Sequence, residues 1–405
     1  MTFGQLCKQE VDSLKNKELY KDTEVGRIPV DWEVKRLGEV SSSITDGTHA
    51  TPRYVDDGIP FYSVENVTEN NFSDTKYISE DEHKKLIKRC KPEKGDVLLT
   101  RIGTLGKTKL IDWDVNASIY VSLALIKVNN NKVDVNYLYR YSKSSMFVEN
   151  VKKRSLLNAV PQKINMEDIG DIPLPLPPLL EQKAIAKVLS DIDELIESIE
   201  KLIHKKKQIK QGAMQELLTG KKRLAGFSGE WEVKRLGEIA DIRTGKRNNE
   251  DKLEDGEYPF FVRSQNIERI DSYSYDGEAI LVPGEGGIGD IYHYINGKFD
   301  YHQRVYKISD FPEDIDGKFV YYYMMQNFRH HALKSTVKAT VDSLRLPTFE
   351  DFKLYLPPLP EQKAIAQILS DMDAEIEALE KKLDKYRKIK EGMMEKLLTG
   401  QVRLV

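Results

Sequence analysis

The sequence is poor in the features that would make it secreted, membrane-spanning or metal-stapled. Its two cysteines, Cys7 and Cys90, form neither a disulfide framework nor a metal-ligand spacing, which fits a reducing cytoplasm. No apolar run reaches the roughly 18 residues needed to cross a bilayer. The opening MTFGQLCKQEVDSLK has no signal-peptide hydrophobic stretch, so no membrane role is expected. A dominant charge sign is missing too. Sixty-two basic against 65 acidic side chains leave a formal net charge of −3, so nucleic-acid binding can be argued only from local organisation.

Catalytic signatures are equally scarce. There is no Asn/Asp-Pro-Pro-Tyr/Phe methyltransferase tetrapeptide and no HExxH. The stretch Gly284–Gly289 is glycine-rich but lacks the Lys-Ser/Thr of a phosphate-binding loop, and reads as a hairpin turn. Asp316-Gly317-Lys318 mimics half of a nuclease metal motif without a convincing upstream acid, and reads as a turn before a short helix.

What the sequence does contain, it contains twice. WEVKRLGEV at Trp32–Val40 recurs as WEVKRLGEI at Trp231–Ile239. LPPLLEQKAIAKVLSDID at Leu176–Asp193 recurs as LPPLPEQKAIAQILSDMD at Leu356–Asp373, and GAMQELLTGKKRL at Gly212–Leu224 as GMMEKLLTGQVRL at Gly392–Leu404. The first pair is offset by 199 residues and the other two by 180, so the second variable stretch is 19 residues shorter. The expected order is an N-terminal segment (1–31), a variable domain (32–175), a matched helix (176–224), a second variable domain (225–355) and a second matched helix (356–405). Between the matched blocks only a skeleton persists: Gly95–Leu99 parallels Gly277–Leu281, and Tyr120–Val128 parallels Tyr301–Ile308. Alternating apolar runs punctuated by glycine predict strands and hairpins, with a short helix near Val135–Ser142 or Lys318–Asn327. Each variable domain is therefore mixed α+β.

Each LPP motif halts the preceding element, because proline restricts its own φ and its neighbour's conformation. Helices are predicted over 180–219 and 360–399. Ile185, Leu189, Ile192, Ile196, Ile199 and Ile203 step by four and three, as do Ile365, Leu369, Met372, Ile376, Leu379, Leu383 and Tyr386. That spacing is a coiled-coil seam, and Gly220 and Gly400 stand where a C′ glycine ends a helix. The first half of each helix is acidic and the second basic, which selects antiparallel pairing. At 1.5 Å per residue the rod is roughly 60 Å long. The expected object is pseudo-twofold, with residues before Trp32 closing one end as Ala225–Gly229 close the other.

The order of Trp motif, variable domain, LPPLxEQKAIAxxLSDxD, long helix and LLTGxxRL resembles the specificity subunits of Type I restriction–modification systems over nearly the whole chain. That resemblance implies two target-recognition domains separated by an antiparallel two-helix coiled coil, each reading one half of a split site in double-stranded DNA. It also implies docking of two methyltransferase subunits that bring S-adenosylmethionine, and of restriction subunits that use ATP and Mg2+. This chain itself would hold no cofactor or metal and would catalyse nothing. The outward helix faces, with Glu181, Gln182, Glu361 and Gln362, are the expected docking patch.

Candidate DNA contacts follow from the resemblance and from residue type. Thr45-Asp46-Gly47-Thr48-His49, followed by Arg53 and Tyr54, reads alone as an Asp-Gly turn with a solvated histidine; with the resemblance it becomes a recognition loop. Arg101 and Lys107 flank a turn suited to phosphates or a guanine edge, and Ser63, Glu65 and Asn66 sit at an expected strand end. In the second domain Arg243, Lys246 and Arg247 form a basic loop with Thr244, Gly245, Asn248 and Asn249. Arg263-Ser264-Gln265-Asn266 aligns with Ser63–Asn66 and offers amide groups suited to adenine, and His302, Gln303 and Arg304 follow the glycine turn. Lys338 and Arg345 are candidate phosphate ligands. Two rival classes stay open: an autonomous DNA-modifying enzyme with its own cofactor pocket, and a coiled-coil spacer that binds proteins.

Overall fold

A computed structural model describes residues 19–287, 289–335 and 343–404. The chain divides into two compact units, residues 1–198 with 383–405 and residues 199–382. Among the described residues no helix is long and apolar enough to cross a membrane, and no acidic, His or Cys cluster could hold a metal.

The matched motifs are neighbours in space. In the first unit Glu33–Arg36 pairs antiparallel with Pro173–Leu176, the strand that runs into the first LPP. In the second unit Glu232–Arg235 pairs with Lys353–Leu356 in the same way. The first variable domain then builds two four-stranded sheets. One has the order Ser41–Asp46, Leu123–Val128, Val97–Thr100, Thr108–Leu110; the other Ser118–Ile119, Ile59–Tyr62, Lys76–Ile78, Tyr54–Val55. The second domain builds one six-stranded sheet: Asp241–Thr244, Val305–Ser309, Tyr275–Pro283, His293–Tyr301, Tyr258–Phe261, Ile267–Ile270.

The stretches Val97–Leu99, Leu123–Ile126 and Ala279–Val282 of the central strands are apolar in succession because both faces are buried there. Val97, Leu99, Ala124 and Ile126 point into the core that also holds Leu37, Tyr137 and Ile185, whereas Leu98, Leu123 and Leu125 point into the opposite core. In the second unit Ile280 and Val282 face the helix-side core, and Ala279 and Leu281 face away. The ladders agree: Ile126 pairs with Val97 and Ile308 with Ile280. The expected match of Gly95–Leu99 with Gly277–Leu281 is therefore one residue out of phase. A one-residue slip turns every side chain to the other face, so Leu99 corresponds to Val282. Tyr301–Ile308 keeps the skeleton of Tyr120–Val128: in each copy one strand ends (Ser118–Ile119, His293–Tyr301), a turn follows, and the next begins (Leu123–Val128, Val305–Ser309). The Gly284–Gly289 stretch joins two antiparallel strands, as a hairpin turn should; Ile288 within it lies outside the described residues.

The two long helices run Leu179–Leu217 and Leu359–Leu397, and Gly220 and Gly400 follow them with φ of +68° and +70°. In each unit the opening half of one helix lies beside the closing half of the other, acid against base. Asp193 takes Lys390 at 2.6 Å in the first unit. In the second, Glu375 takes Lys206 at 2.7 Å and Asp373 takes Lys210 at 2.5 Å. Such pairs are individually weak, yet their shared sign fixes direction. The shorter helices run Val135–Tyr141 and, longer than expected, Gly317–Ser335, whose start is capped by Asp316 accepting from Phe319 N at 2.8 Å.

One expectation is overturned at the helix entrances. Glu181 and Glu361 are 0% exposed, and Gln182 and Gln362 are buried beside them, so these four residues form no docking patch. Glu181 accepts from Arg403 Nε at 2.6 Å, Arg403 Nη2 at 2.8 Å and Trp32 Nε1 at 3.1 Å. Glu361 accepts from both Arg223 Nε and Nη2 at 2.6 Å, while the buried Trp231 Nε1 has no hydrogen-bond partner among the described residues. Gln182 accepts from Asp134 N and donates to Pro177 O, each at 2.8 Å; Gln362 repeats this with Asp316 N at 2.9 Å and Pro357 O at 2.8 Å. A buried charge survives only when paired and hydrogen-bonded, which is why these residues face inward. Residues before Trp32 complete the first joint: Arg403 also holds Asp31 at 2.8 Å, and Tyr20 donates to Gly400 O at 3.1 Å.

Glu181→Ala should therefore destabilise the protein by about 3–5 kcal/mol, because it strands a buried Trp N–H and leaves the Arg403 guanidinium to Asp31 alone. Glu361→Ala should cost less, since no Trp N–H depends on it. Urea unfolding of the two variants checks this, and equal, small losses would contradict it.

Candidate nucleic-acid interface

Each variable domain turns its first sheet strand into a loop by the same device. Strand Ser41–Asp46 ends at Gly47, where a Cβ would lie 2.1 Å from Ile119 O; strand Asp241–Thr244 ends at Gly245, where it would lie 2.0 Å from Tyr301 O. Only glycine lets the backbone approach so closely. The loops that follow hold the first group of candidate residues in each domain.

In the first domain the candidates separate by burial. Asp46 is buried and accepts from Arg89, from His49 Nε2 at 2.8 Å and from Arg101 Nη1 at 3.3 Å. Arg101 is only 7% exposed and also donates to Val121 O at 3.0 Å and Ile164 O at 3.3 Å. Both side chains hold the loop rather than present themselves. Thr45 donates to Cys90 Sγ and Thr48 to Ala50 O. His49, Arg53, Tyr54 and Lys107 are exposed, and Lys76 sits 5.0 Å over the Tyr54 ring. The structure adds Arg89, a mostly exposed cation anchored at one end by Asp46, which the sequence reading missed. The basic run Lys88-Arg89-Cys90-Lys91 was its only signal. Ser63 lies at the end of the strand Ile59–Tyr62, as expected, whereas Glu65 and Asn66 belong to the helix that follows. Ser63 precedes the helix Val64–Glu69, and Asn66 is buried, its amide bonded to Ser63 N, Asn71 O and Asp74 O.

In the second domain Arg243 keeps 72% of its side chain exposed and is tied to Asp241, and Lys246 is exposed beside it. Arg247 is drawn inward by Asp300 at 3.2 Å and Ser272 at 2.9 Å. These residues line a cavity of about 610 Å³ with Tyr273, Tyr275 and Tyr301. Arg263 and Arg304 share Glu285, at 3.3 and 3.1 Å; Gln265 and Asn266 are exposed, and Gln303 donates to the Asn248 side chain at 2.5 Å. His302 is buried, its Nδ1 accepting from Arg304 N at 2.9 Å. Arg345 precedes the short helix Leu346–Glu350; Lys338 lies outside the described residues.

Burial, and then the guanidiniums of Arg263 and Arg304, hold the His302 imidazole below its usual pKa. The folded state thus favours neutral His302. Its contribution to stability is present above the ordinary histidine value near 6.5 and is lost as pH falls through the lowered folded value. Denaturation midpoints at pH 7 and pH 5 should show a drop that His302→Gln partly removes. An unchanged drop in the variant would contradict this assignment.

Comparison with known proteins supplies the context for these loops. The family model described as Type I restriction modification DNA specificity domain matches residues 29–211 and 228–386. The chain is 28% identical over 428 residues to the Type I restriction enzyme MjaVIII specificity subunit of Methanocaldococcus jannaschii, covering 96% of this chain and 97% of that one. It is 29% identical over 170 residues to the Type I restriction enzyme EcoDI specificity subunit of Escherichia coli, covering 42% of this chain and 37% of the relative. The fold is similar to the crystal structure of the Type-I restriction-modification system S subunit from M. genitalium, with a TM-score of 0.64 and 17% identity over 90% of this chain and 96% of that one.

Proposed function

The chain belongs to the family of Type I restriction–modification DNA specificity domains, and from that premise we propose that it is the DNA-reading subunit of a methyltransferase and restriction complex. Each variable domain reads one half of a bipartite duplex site. The observation that carries this reading is the repeated glycine-on-carbonyl loop, which brings exposed polar and cationic side chains to the same sheet edge in both domains. Exposed cations suit phosphates and guanine edges, and exposed amides suit adenine. In the first domain His49, Arg53, Tyr54, Arg89 and Lys107 take that role, with Asp46 and Arg101 positioning them. In the second, Arg243, Lys246, Gln265 and Asn266 take it, with Arg247 and His302 behind.

The long helices set the spacing between half-sites and dock two methyltransferase subunits. Support for docking shifts from the buried Glu-Gln pairs to apolar positions left exposed on the helices, chiefly the repeat-equivalent Ile209 and Ile389. Methyl transfer to an adenine in a duplex needs that base turned into a pocket. That pocket and its S-adenosylmethionine belong to the partner, as ATP and Mg2+ belong to the restriction subunits. This chain contributes position and selectivity in the cytoplasm, and no bond-breaking step.

Two results are expected. The purified chain transfers no methyl group to DNA; transfer by the chain alone would favour the autonomous enzyme. In the complex assembled with its methyltransferase partner, Arg243→Ala weakens binding by about 1–3 kcal/mol if the contact to guanine is bidentate. The loss is confined to the half-site of the second domain, read by titrating duplexes altered in one half-site at a time. An Arg243→Ala, Lys246→Ala double variant with unaltered affinity and selectivity would overturn the loop assignment.

A further inference from the structure

A loop of the first unit has exposed apolar side chains that pack against no core among the described residues. It joins the helix Ser145–Lys153 to the short helix Met166–Gly170. Leu156 N donates to Lys163 O at 2.8 Å and Ala159 N to Leu156 O at 3.2 Å, so the excursion is closed at its base and turned within. It is also stitched to the turn that carries Lys107: Gly103 N donates to Gln162 O at 2.8 Å, and Ile164 N to Arg101 O at 3.0 Å. A loop tied this way holds its tip outward. Leu156 and Leu157 are each 47% exposed, and Val160 is 100% exposed.

Single exposed apolar residues are ordinary on a protein surface; three on one closed loop ask for a partner. The surrounding charge says which. Residues 150–166 carry the exposed Lys152, Lys153 and Lys163 and no acid, with Glu149 and Glu167 just outside; Arg154 turns inward to Asn150 and Glu24, and Lys107 is exposed on the adjoining turn. An apolar tip ringed by cations fits a polyanion with an apolar interior. In a duplex, cations meet the phosphates while an apolar side chain wedges between stacked bases. An acidic protein face would meet the same cations, but the backbone stitching to the Arg101–Lys107 turn places the loop with the DNA-reading residues. The stitch recurs in the second unit, where Leu344 N donates to Gly284 O at 2.8 Å; residues 336–342 before it lie outside the described ones.

We propose that the loop Leu156–Lys163 is an apolar wedge that enters the duplex at or beside the first half-site and unstacks a base step. The inference rests on the DNA-reading function proposed above. The test uses the complex assembled with its methyltransferase partner and cognate duplexes carrying 2-aminopurine at successive positions through the first half-site and its flanks. The wild-type complex should brighten the probe at one step. The Leu157→Ser, Val160→Ser double variant changes only exposed tip residues; it should abolish that brightening and bind about tenfold more weakly, with its assembly and thermal unfolding unaltered. Unchanged brightening and affinity in the variant would overturn the wedge, as would a wild-type complex that binds its site without brightening any position. Loss of methyltransferase co-purification in the variant would make the loop a protein contact and equally overturn it. A wild-type complex without sequence-selective binding would instead sink the DNA-reading function itself, which the wild-type titration shows before any variant is made.

Discussion

Everything in each unit hangs on one buried carboxylate at the start of a long helix. Glu181 and Glu361 have no access to water, and a charge in that position is tolerable only if donors converge on it. Arginine supplies a two-pronged donor in both units, from Arg403 and Arg223. The neighbouring glutamines extend the joint, each linking the amide before a domain helix to the proline carbonyl before a long helix. Three sequence blocks far apart in the chain, the Trp motif, the LPPLxEQ motif and the LLTGxxRL motif, are thereby brought to one point. Their duplication becomes a physical requirement, because each block is half of a contact that the others complete.

That joint leaves the distal surface of each variable domain free to differ. In the first domain a buried Asp46 organises Arg89, Arg101 and His49; in the second a buried Asp300 organises Arg247, Ser272 and Ser274. The two domains use the same principle, a buried carboxylate that orients cations behind an exposed loop, with different residues on different turns. Two units built this way keep a common frame while presenting unlike surfaces, as the proposed reading of two half-sites requires.

The sequence disclosed the frame better than the surface. The helix boundaries, the terminating glycines and the acid-to-base polarity follow from local chemistry, and the structure has them within a few residues. Burial did not follow. Glu-Gln after a proline pair looks like a solvated helix start, and only the arrival of Arg403 and Arg223 from about 140 to 220 residues away turns it inward. Arg101 and Asp46 look like base-reading types for the same reason that they make a good internal pair. The slip between Gly95–Leu99 and Gly277–Leu281 was invisible because both runs are apolar on both faces, so composition carries no phase. Only the ladder partners, Val97 with Ile126 and Ile280 with Ile308, set it.

The proposed role of the helices as a ruler makes a numerical commitment. Removing one heptad from both helices in matched register shortens them by about 10 Å at 1.5 Å per residue. With about 3.4 Å per base pair, the gap between half-sites should close by roughly three base pairs. The same change turns the two half-sites about 100° around the duplex, so affinity should fall even where the site shifts. Mapping methylated adenines across a genome that carries this variant with its methyltransferase partner reads the gap directly. Half-sites of unchanged sequence separated by about three fewer base pairs are expected; an active variant that keeps the original spacing would contradict the ruler.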